Sequence, residues 1–251
     1  MEFFSLTGTV ALVTGASGAL GGHFCRVLHA AGAQVALAAR RPEAVAALAE
    51  ELGPRAMTVA LDVTEEVSIA AALAVVQARF GTVTLLVNNA GIAATRPFLE
   101  HSAADWDQVM QVDLRGAFLM AQAAARGMVS AGQGGAIVNI ASILGARVIP
   151  GVASYSAAKA GLVHLTRQMA VELARHRIRV NALAPGYIAT DINAEFFASE
   201  AGQALVKRVP QRRLGRLEDL TGPLLLLASP AGSHMTGSVV TVDGGHSVNG
   251  L

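Results

Sequence analysis

The stretch TVALVTGASGALG, residues 9–21, decides the architecture. A short apolar run rich in Val and Leu, 9–14, passes directly into a glycine-rich turn. An Ala/Leu-rich helical pattern then fills 19–31. Gly15, Gly18 and Gly21 stand at G-x-x-G-x-x-G spacing, with Ser17 and Leu20 between them. A strand that turns tightly into a helix in this way leaves amide N–H groups and the positive end of the helix dipole facing outward. That arrangement receives a phosphate. The turn predicts a dinucleotide site at the first strand–helix unit of a parallel sheet.

The same alternation continues outward from this unit. TVALVT (9–14), QVALAA (34–39), AMTVAL (56–61), VTLLVN (83–88), AIVNIA (136–141), IRVNAL (178–183) and SVVTVD (238–243) read as strands. They are apolar almost throughout instead of alternating, as strands covered on both faces must be. Helical patterns occupy 19–31, 43–52, 65–79, 103–128, 155–175 and 217–228. Ser102, with an acid at 105, opens the fourth of them as a capping box. Strand–helix alternation means right-handed crossovers and a doubly wound α/β sheet of seven parallel strands with helices on both faces. No linker or repeat divides the 251 residues, so one domain over 1–251 is expected. Residues 187–213 are the least regular and are expected to cover a substrate.

Composition narrows the function classes. The chain is 53% hydrophobic and 15% charged, with mean hydropathy +0.47 and net charge +1. Neither nucleic acid nor an anionic membrane surface is favoured by such a balance. Apolar runs such as LLLLA fall far short of a membrane span. The N-terminal MEFFSLTGTV lacks the basic residues of a secretory signal. A soluble, cytoplasmic protein is expected. The one cysteine, Cys25, excludes an internal disulfide and reads as core packing. The seven histidines are scattered without ligand spacing, and no metal site is expected.

The end of the second strand bears on the choice of dinucleotide. An NAD site commonly has an acid there to accept from the ribose 2′-OH. This chain has Ala39 followed by Arg40 and Arg41. A guanidinium suits a 2′-phosphate, which favours NADP(H) over NAD(H).

The chemistry is expected at the opposite end of the sheet's carboxyl edge. Ser142 follows the fifth strand. Tyr155, one of two tyrosines, lies at i and Lys159 at i+4 of an Ala/Ser-rich helix, and so on one face. A free phenol is a poor acid or base at neutral pH, and a nearby ammonium favours its ionised form. With the Ser142 hydroxyl beside a carbonyl oxygen, the trio reads as proton donor, tuning cation and orienting group.

Together these motifs resemble the short-chain dehydrogenase/reductase family over nearly the whole chain. The matching pieces are the turn 14–21, LDV (61–63), NNAG (88–91), Ser142, YSAAK (155–159), RVNALAPGYIAT (179–190) and TGSVVTVDGG (236–245). The resemblance implies a single-domain Rossmann fold and oxidoreductase activity between a ketone and a secondary alcohol. It implies that Asp62 and Val63 contact the adenine, and that Asn89, Ala90 and Gly91 line the adenosine ribose. Lys159 would bind the nicotinamide ribose, and Pro185, Gly186, Ile188 and Thr190 would hold the nicotinamide. Asn181 would fix local backbone. A homotetramer built through helices 103–128 and 155–175 is implied as well. Acyl-thioester reduction and sugar or sugar-acid oxidation stay open as substrate classes, as does a silent cofactor-binding protein.

The sequence departs from the family pattern in two places, the glycine turn and Asp113. Ala19 stands where the second glycine of the turn is usual. Gly18 takes the place of a basic residue that many NADP-using members carry, which leaves Arg40 and Arg41 to read the phosphate. Asp113, in QVDLRG, replaces an asparagine whose backbone carbonyl completes a proton relay in the family. That carbonyl survives the substitution, so the relay is expected to survive too. The carboxylate should displace the pH optimum of alcohol oxidation upward.

Overall fold

A computed structural model of the chain describes residues 2–190 and 193–249. Seven strands form one parallel sheet: β1 Val10–Thr14, β2 Gln34–Ala39, β3 Ala56–Ala60, β4 Leu85–Asn88, β5 Gly135–Ile140, β6 Ile178–Pro185 and β7 Val239–Val242. Their order across the sheet is β3-β2-β1-β4-β5-β6-β7. Register is regular, with Val10 opposite Gln34 and Leu86 opposite Ile137. The order reverses between β1 and β4, and the loops leaving those two strands diverge to opposite sides. A crevice opens there at the carboxyl edge.

The helices are α1 Ala19–Ala30, α2 Ala46–Leu52, α3 Glu66–Phe80, α4 Ala103–Val109, α5 Ala117–Ser130, α6 Ala153–Leu173, α7 Ala194–Ala198, α8 Glu200–Val206 and α9 Thr221–Ala228. Successive strand residues point to opposite faces. Ala11, Val13, Leu37 and Val87 therefore meet Phe24, Cys25 and Leu28 of α1 and Leu224 and Leu227 of α9. Leu12, Ala36, Leu86 and Ile137 meet Ile69 and Val76 of α3 and Met120 and Met128 of α5. Full burial of a side chain such as Leu28 or Met128 contributes about 1.5–3 kcal/mol. Two such layers on one sheet give a scaffold stiff enough to fix the carboxyl edge. Cys25 is fully buried, and burial pushes its thiol up to about 12, in keeping with a packing role.

The predicted helix over 103–128 is three pieces. After α4, residues Met110–Gly116 wind as a π-helix before α5 resumes. A single widened segment leaves the apolar period nearly unchanged, so the pattern cannot reveal it. Its effect is to bring Asp113 into the interior. At the start of α4 the capping box is present: the Asp105 amide donates to Ser102 Oγ at 3.0 Å, and the Ser102 amide donates back to the Asp105 carboxylate at 3.3 Å. The irregular segment 187–213 carries the short helices α7 and α8. Its residues 191–192 lie outside the described residues. No helix of the described residues is long and apolar enough to cross a membrane.

Candidate active site

A cleft of about 1480 Å³ runs along the carboxyl edge of the sheet. The glycine turn forms one wall. Gly15 has φ +64°, and a Cβ built on Gly21 would lie 2.3 Å from the Gly15 carbonyl oxygen. Only a bare backbone lets the start of α1 sit this close to β1. Ser17, Gly18 and Leu20 line the same wall, and Ala19 is accommodated there too.

Asn89 clamps this turn to β4. Its side-chain amide donates to the Thr14 and Gly15 carbonyls at 3.0 and 3.1 Å. The Asn89 and Ala90 amides both donate to Thr14 Oγ1 at 2.9 Å. The side chain expected to line a ribose thus also holds the two halves of the crevice together. Asn181 donates to the Met235 carbonyl and accepts from the Ser238 amide, the backbone-fixing role expected of it.

Arg40 reaches the cleft from the end of β2, whereas Arg41 is exposed at the start of the turn Pro42–Val45 and does not line it. Asp62 and Val63 line the cleft after β3. The Asp62 carboxylate accepts from the Thr64 amide at 2.9 Å and from the Thr64 hydroxyl at 2.7 Å. These bonds, with a smaller contribution from Arg40, hold its carboxyl below the usual range.

At the other end, Ser142, Tyr155 and Lys159 come together on the cleft, with Pro185, Gly186, Ile188 and Thr190 opposite. Ser142 Oγ accepts from the Leu144 amide at 3.1 Å and caps the short turn Ile143–Gly145, so its own proton stays available. Lys159 is buried, and its ammonium donates to the Ile140 carbonyl at 3.0 Å. Its Nζ lies 5.4 Å from the centre of the Tyr155 ring. Asp113 does not line the cleft. It stands behind Lys159 with Oδ2 3.2 Å from Nζ.

A buried polar chain aligns the elements that carry these groups. Asn88 at the end of β4 donates to Asn139 of β5 at 2.9 Å. Asn139 donates to the Thr166 hydroxyl of α6 at 2.8 Å, and that hydroxyl donates to the Leu162 carbonyl.

A family model described as enoyl-(acyl carrier protein) reductase matches residues 15–247. Gluconate 5-dehydrogenase of Gluconobacter oxydans (strain 621H) is 38% identical over 252 residues, covering 99% of this chain and 98% of that protein. The chain is a short-chain dehydrogenase/reductase. As a member of this family it is an oxidoreductase. Another relative, 2-dehydro-3-deoxy-D-gluconate 5-dehydrogenase of Escherichia coli (strain K12), is 40% identical over 247 residues, 98% of each chain. Among solved structures, the gluconate 5-dehydrogenase of Burkholderia cenocepacia J2315 in complex with NADP and tartrate matches with TM-score 0.93, at 37% identity over 98% of each chain.

The reductase cleft includes residues that the sequence reading did not single out as ligands. Tyr187 lies on the wall near Ile188, its ring 5.7 Å from that of Phe197 and 5.3 Å from that of His246. Burial pushes the Tyr187 phenol up. Asn193 also lines the cleft; it accepts from the Thr190 amide and donates to the Ile188 carbonyl. Arg115 lies along the wall with Asp62 and Val63 and donates to the Thr64 carbonyl. Tyr187 had a signal, as the second of two tyrosines beside the Pro185–Gly186 pair. Asn193 and Arg115 had none. Phe197 is buried and Phe196 exposed, so of these neighbours only Phe197 packs into the segment around Tyr187.

Proposed function

We propose that this reductase interconverts a ketone and a secondary alcohol with NADP(H), with Tyr155 moving the proton. The observation that carries the reading is the convergence of Ser142, Tyr155 and Lys159 on one cleft with the glycine turn and Arg40. The residues present fit a phosphorylated dinucleotide: a turn that only glycine backbone can form, followed by a guanidinium and no carboxylate at the end of β2.

When bound, the nicotinamide supplies or accepts the hydride. Tyr155 gives the proton to the carbonyl oxygen in reduction and takes it back in oxidation. Ser142 donates to that oxygen and orients it. Lys159 binds the nicotinamide ribose and holds positive charge beside the phenol. Pro185, Gly186, Ile188 and Thr190 seat the nicotinamide. Asp62 and Val63 face the adenine, Asn89, Ala90 and Gly91 its ribose, and Arg40 the 2′-phosphate. Segment 187–213 closes over the substrate, with Tyr187 and Asn193 as its inner surface.

A sugar acid is the favoured substrate class, because gluconate dehydrogenases match the chain end to end. The protein works in the cytoplasm as a homotetramer. The test is NADPH consumption with keto-gluconates, acetoacetyl thioesters and aryl ketones, in the parent and in Tyr155→Phe. A keto-gluconate should be turned over fastest. The variant should lose at least about a hundredfold in turnover while still binding NADPH. Near-normal activity in Tyr155→Phe, or no carbonyl consumed despite NADPH binding, would overturn the reading.

A further inference from the structure

We propose that Asp113 is the buried ionic partner that positions Lys159 and offsets its charge, so that this carboxylate sets the pH range of alcohol oxidation; the proposal rests on the roles given to Tyr155 and Lys159 above. Both oxygens of Asp113 face donors. Oδ1 accepts from the Ile92 amide at 2.7 Å, and Oδ2 lies 3.2 Å from Lys159 Nζ. The two side chains are 0% and 6% exposed. Apart from the lysine, Oδ2 has no partner among the described residues. Gly91 is packed against the pair: a Cβ there would lie 2.9 Å from Asp113 Oδ2 and 3.4 Å from Lys159 Nζ. The π segment brings the carboxylate to this point, and a side chain at position 91 would not fit beside it.

An asparagine cannot serve both contacts. With its oxygen accepting from Ile92, its NH₂ would face the ammonium, donor against donor. The lysine here has the Ile140 carbonyl and the Asp113 carboxylate as acceptors, which leaves an N–H for the cleft. The geometry therefore suits a carboxylate specifically, and the effect is electrostatic as well as positional. An anion behind the ammonium cancels part of the field that the Tyr155 phenol feels.

Among the described residues no other charge intervenes, and Lys159 is the one charged group acting on the Asp113 carboxyl. On the elements packed against the π segment, Asp105 is turned to Ser102 and Arg96, and Arg115 to Thr64 and Glu66; Asp107 and Arg126 are exposed. Tyr155 lies beyond the lysine.

Burial pushes the Asp113 carboxyl up, against the pull of Lys159 and the Ile92 amide. Its ionisation therefore costs folding stability. The contribution is fully present below the unfolded value near 4 and is lost as pH rises through the folded one. A buried pair that does not stabilise the fold is consistent with a functional reason for the carboxylate.

The experiment compares the parent with Asp113→Asn in two measurements. The first is the pH profile of kcat/KM for alcohol oxidation with NADP⁺. The rising limb of the variant should lie about one pH unit lower, and the two profiles should converge toward acid, where the parent's carboxyl is itself neutral. Superimposable profiles would overturn the proposal. The second needs no substrate: unfolding by urea between pH 4 and 7. The variant should gain stability relative to the parent as pH rises. A constant difference would overturn the proposal even if oxidation proceeds as expected. If the parent oxidises no alcohol, the unfolding series alone decides the ion pair, and the loss falls on the proposed reaction.

Discussion

Arg40 is the side chain on which the proposed cofactor choice turns. Ala39 is buried and offers no carboxylate, Gly18 offers no cation, and Arg41 does not line the cleft, so Arg40 is the guanidinium left at the end of β2 to meet a 2′-phosphate. Arg40 is exposed, and Asp62, just past the end of the neighbouring strand β3, is an acid close enough to feel its charge. The guanidinium–phosphate contact proposed for Arg40 would be a charge-assisted hydrogen bond of about 1.5–3 kcal/mol. Arg40→Ala should therefore weaken NADPH by roughly tenfold or more and leave NADH nearly unchanged, as read by fluorescence titration of each nucleotide. Equal weakening of both would show that the arginine only shapes the loop.

Among elements, the alignment of β4, β5 and α6 matters most. These carry the Asn89 clamp, Ser142 and the Tyr155–Lys159 face, and the Asn88–Asn139–Thr166 chain pins them to one another inside the protein. Asn139 and Thr166 are fully buried. Thr166→Val keeps the shape and removes the acceptor for the Asn139 amide, leaving a buried donor unsatisfied. The expected loss is about 1–3 kcal/mol of unfolding free energy, measured in urea. If α6 then shifts against β5, turnover should fall with NADPH affinity little changed. Thr166→Ser, which keeps the hydroxyl, should restore most of both. A Val variant as stable as the parent would show that the Asn139–Thr166 hydrogen bond does not hold α6 to β5. The π segment acts at the same scale. It divides the single helix expected over 103–128 into α4 and α5, leaves the outer ends close to those expected, and turns Asp113 inward.

For the whole molecule, the open question is assembly. Phe118 of α5 is 39% exposed and Val171 of α6 is 79% exposed, both on helices whose other faces already pack the core. A monomer would leave these apolar positions in water, whereas a two-fold contact of each helix with its own copy would cover them. Sedimentation equilibrium at micromolar concentration should give four times the 25.7 kDa chain mass. A mass of one chain would refute the tetramer. Phe118→Glu in the same experiment should halve the assembly if the α5 face is one of its contacts.

The sequence alone determined the topology and most of the cleft. Strands buried on both faces must be continuously apolar, so QVALAA at 34–39 marked β2 at its observed limits. The glycine turn and the i, i+4 pair Tyr155/Lys159 were legible for a similar reason: each depends on backbone geometry or helix spacing within a few residues. Tertiary structure decided what depends on residues far apart in the chain. Arg40 lines the cleft and Arg41 does not: consecutive side chains of an extended backbone point to opposite sides, and the packing of β2 in the sheet sets which side meets the cleft. Asn193 reaches the cleft from the start of α7 and Arg115 from the π segment, and no local pattern records either placement. Asp113 is the clearest case. The sequence marked it as a departure and gave its backbone the role. Whether its carboxylate meets Lys159 depended on a widened helical segment packed against the Gly91–Ile92 backbone, more than twenty residues away along the chain.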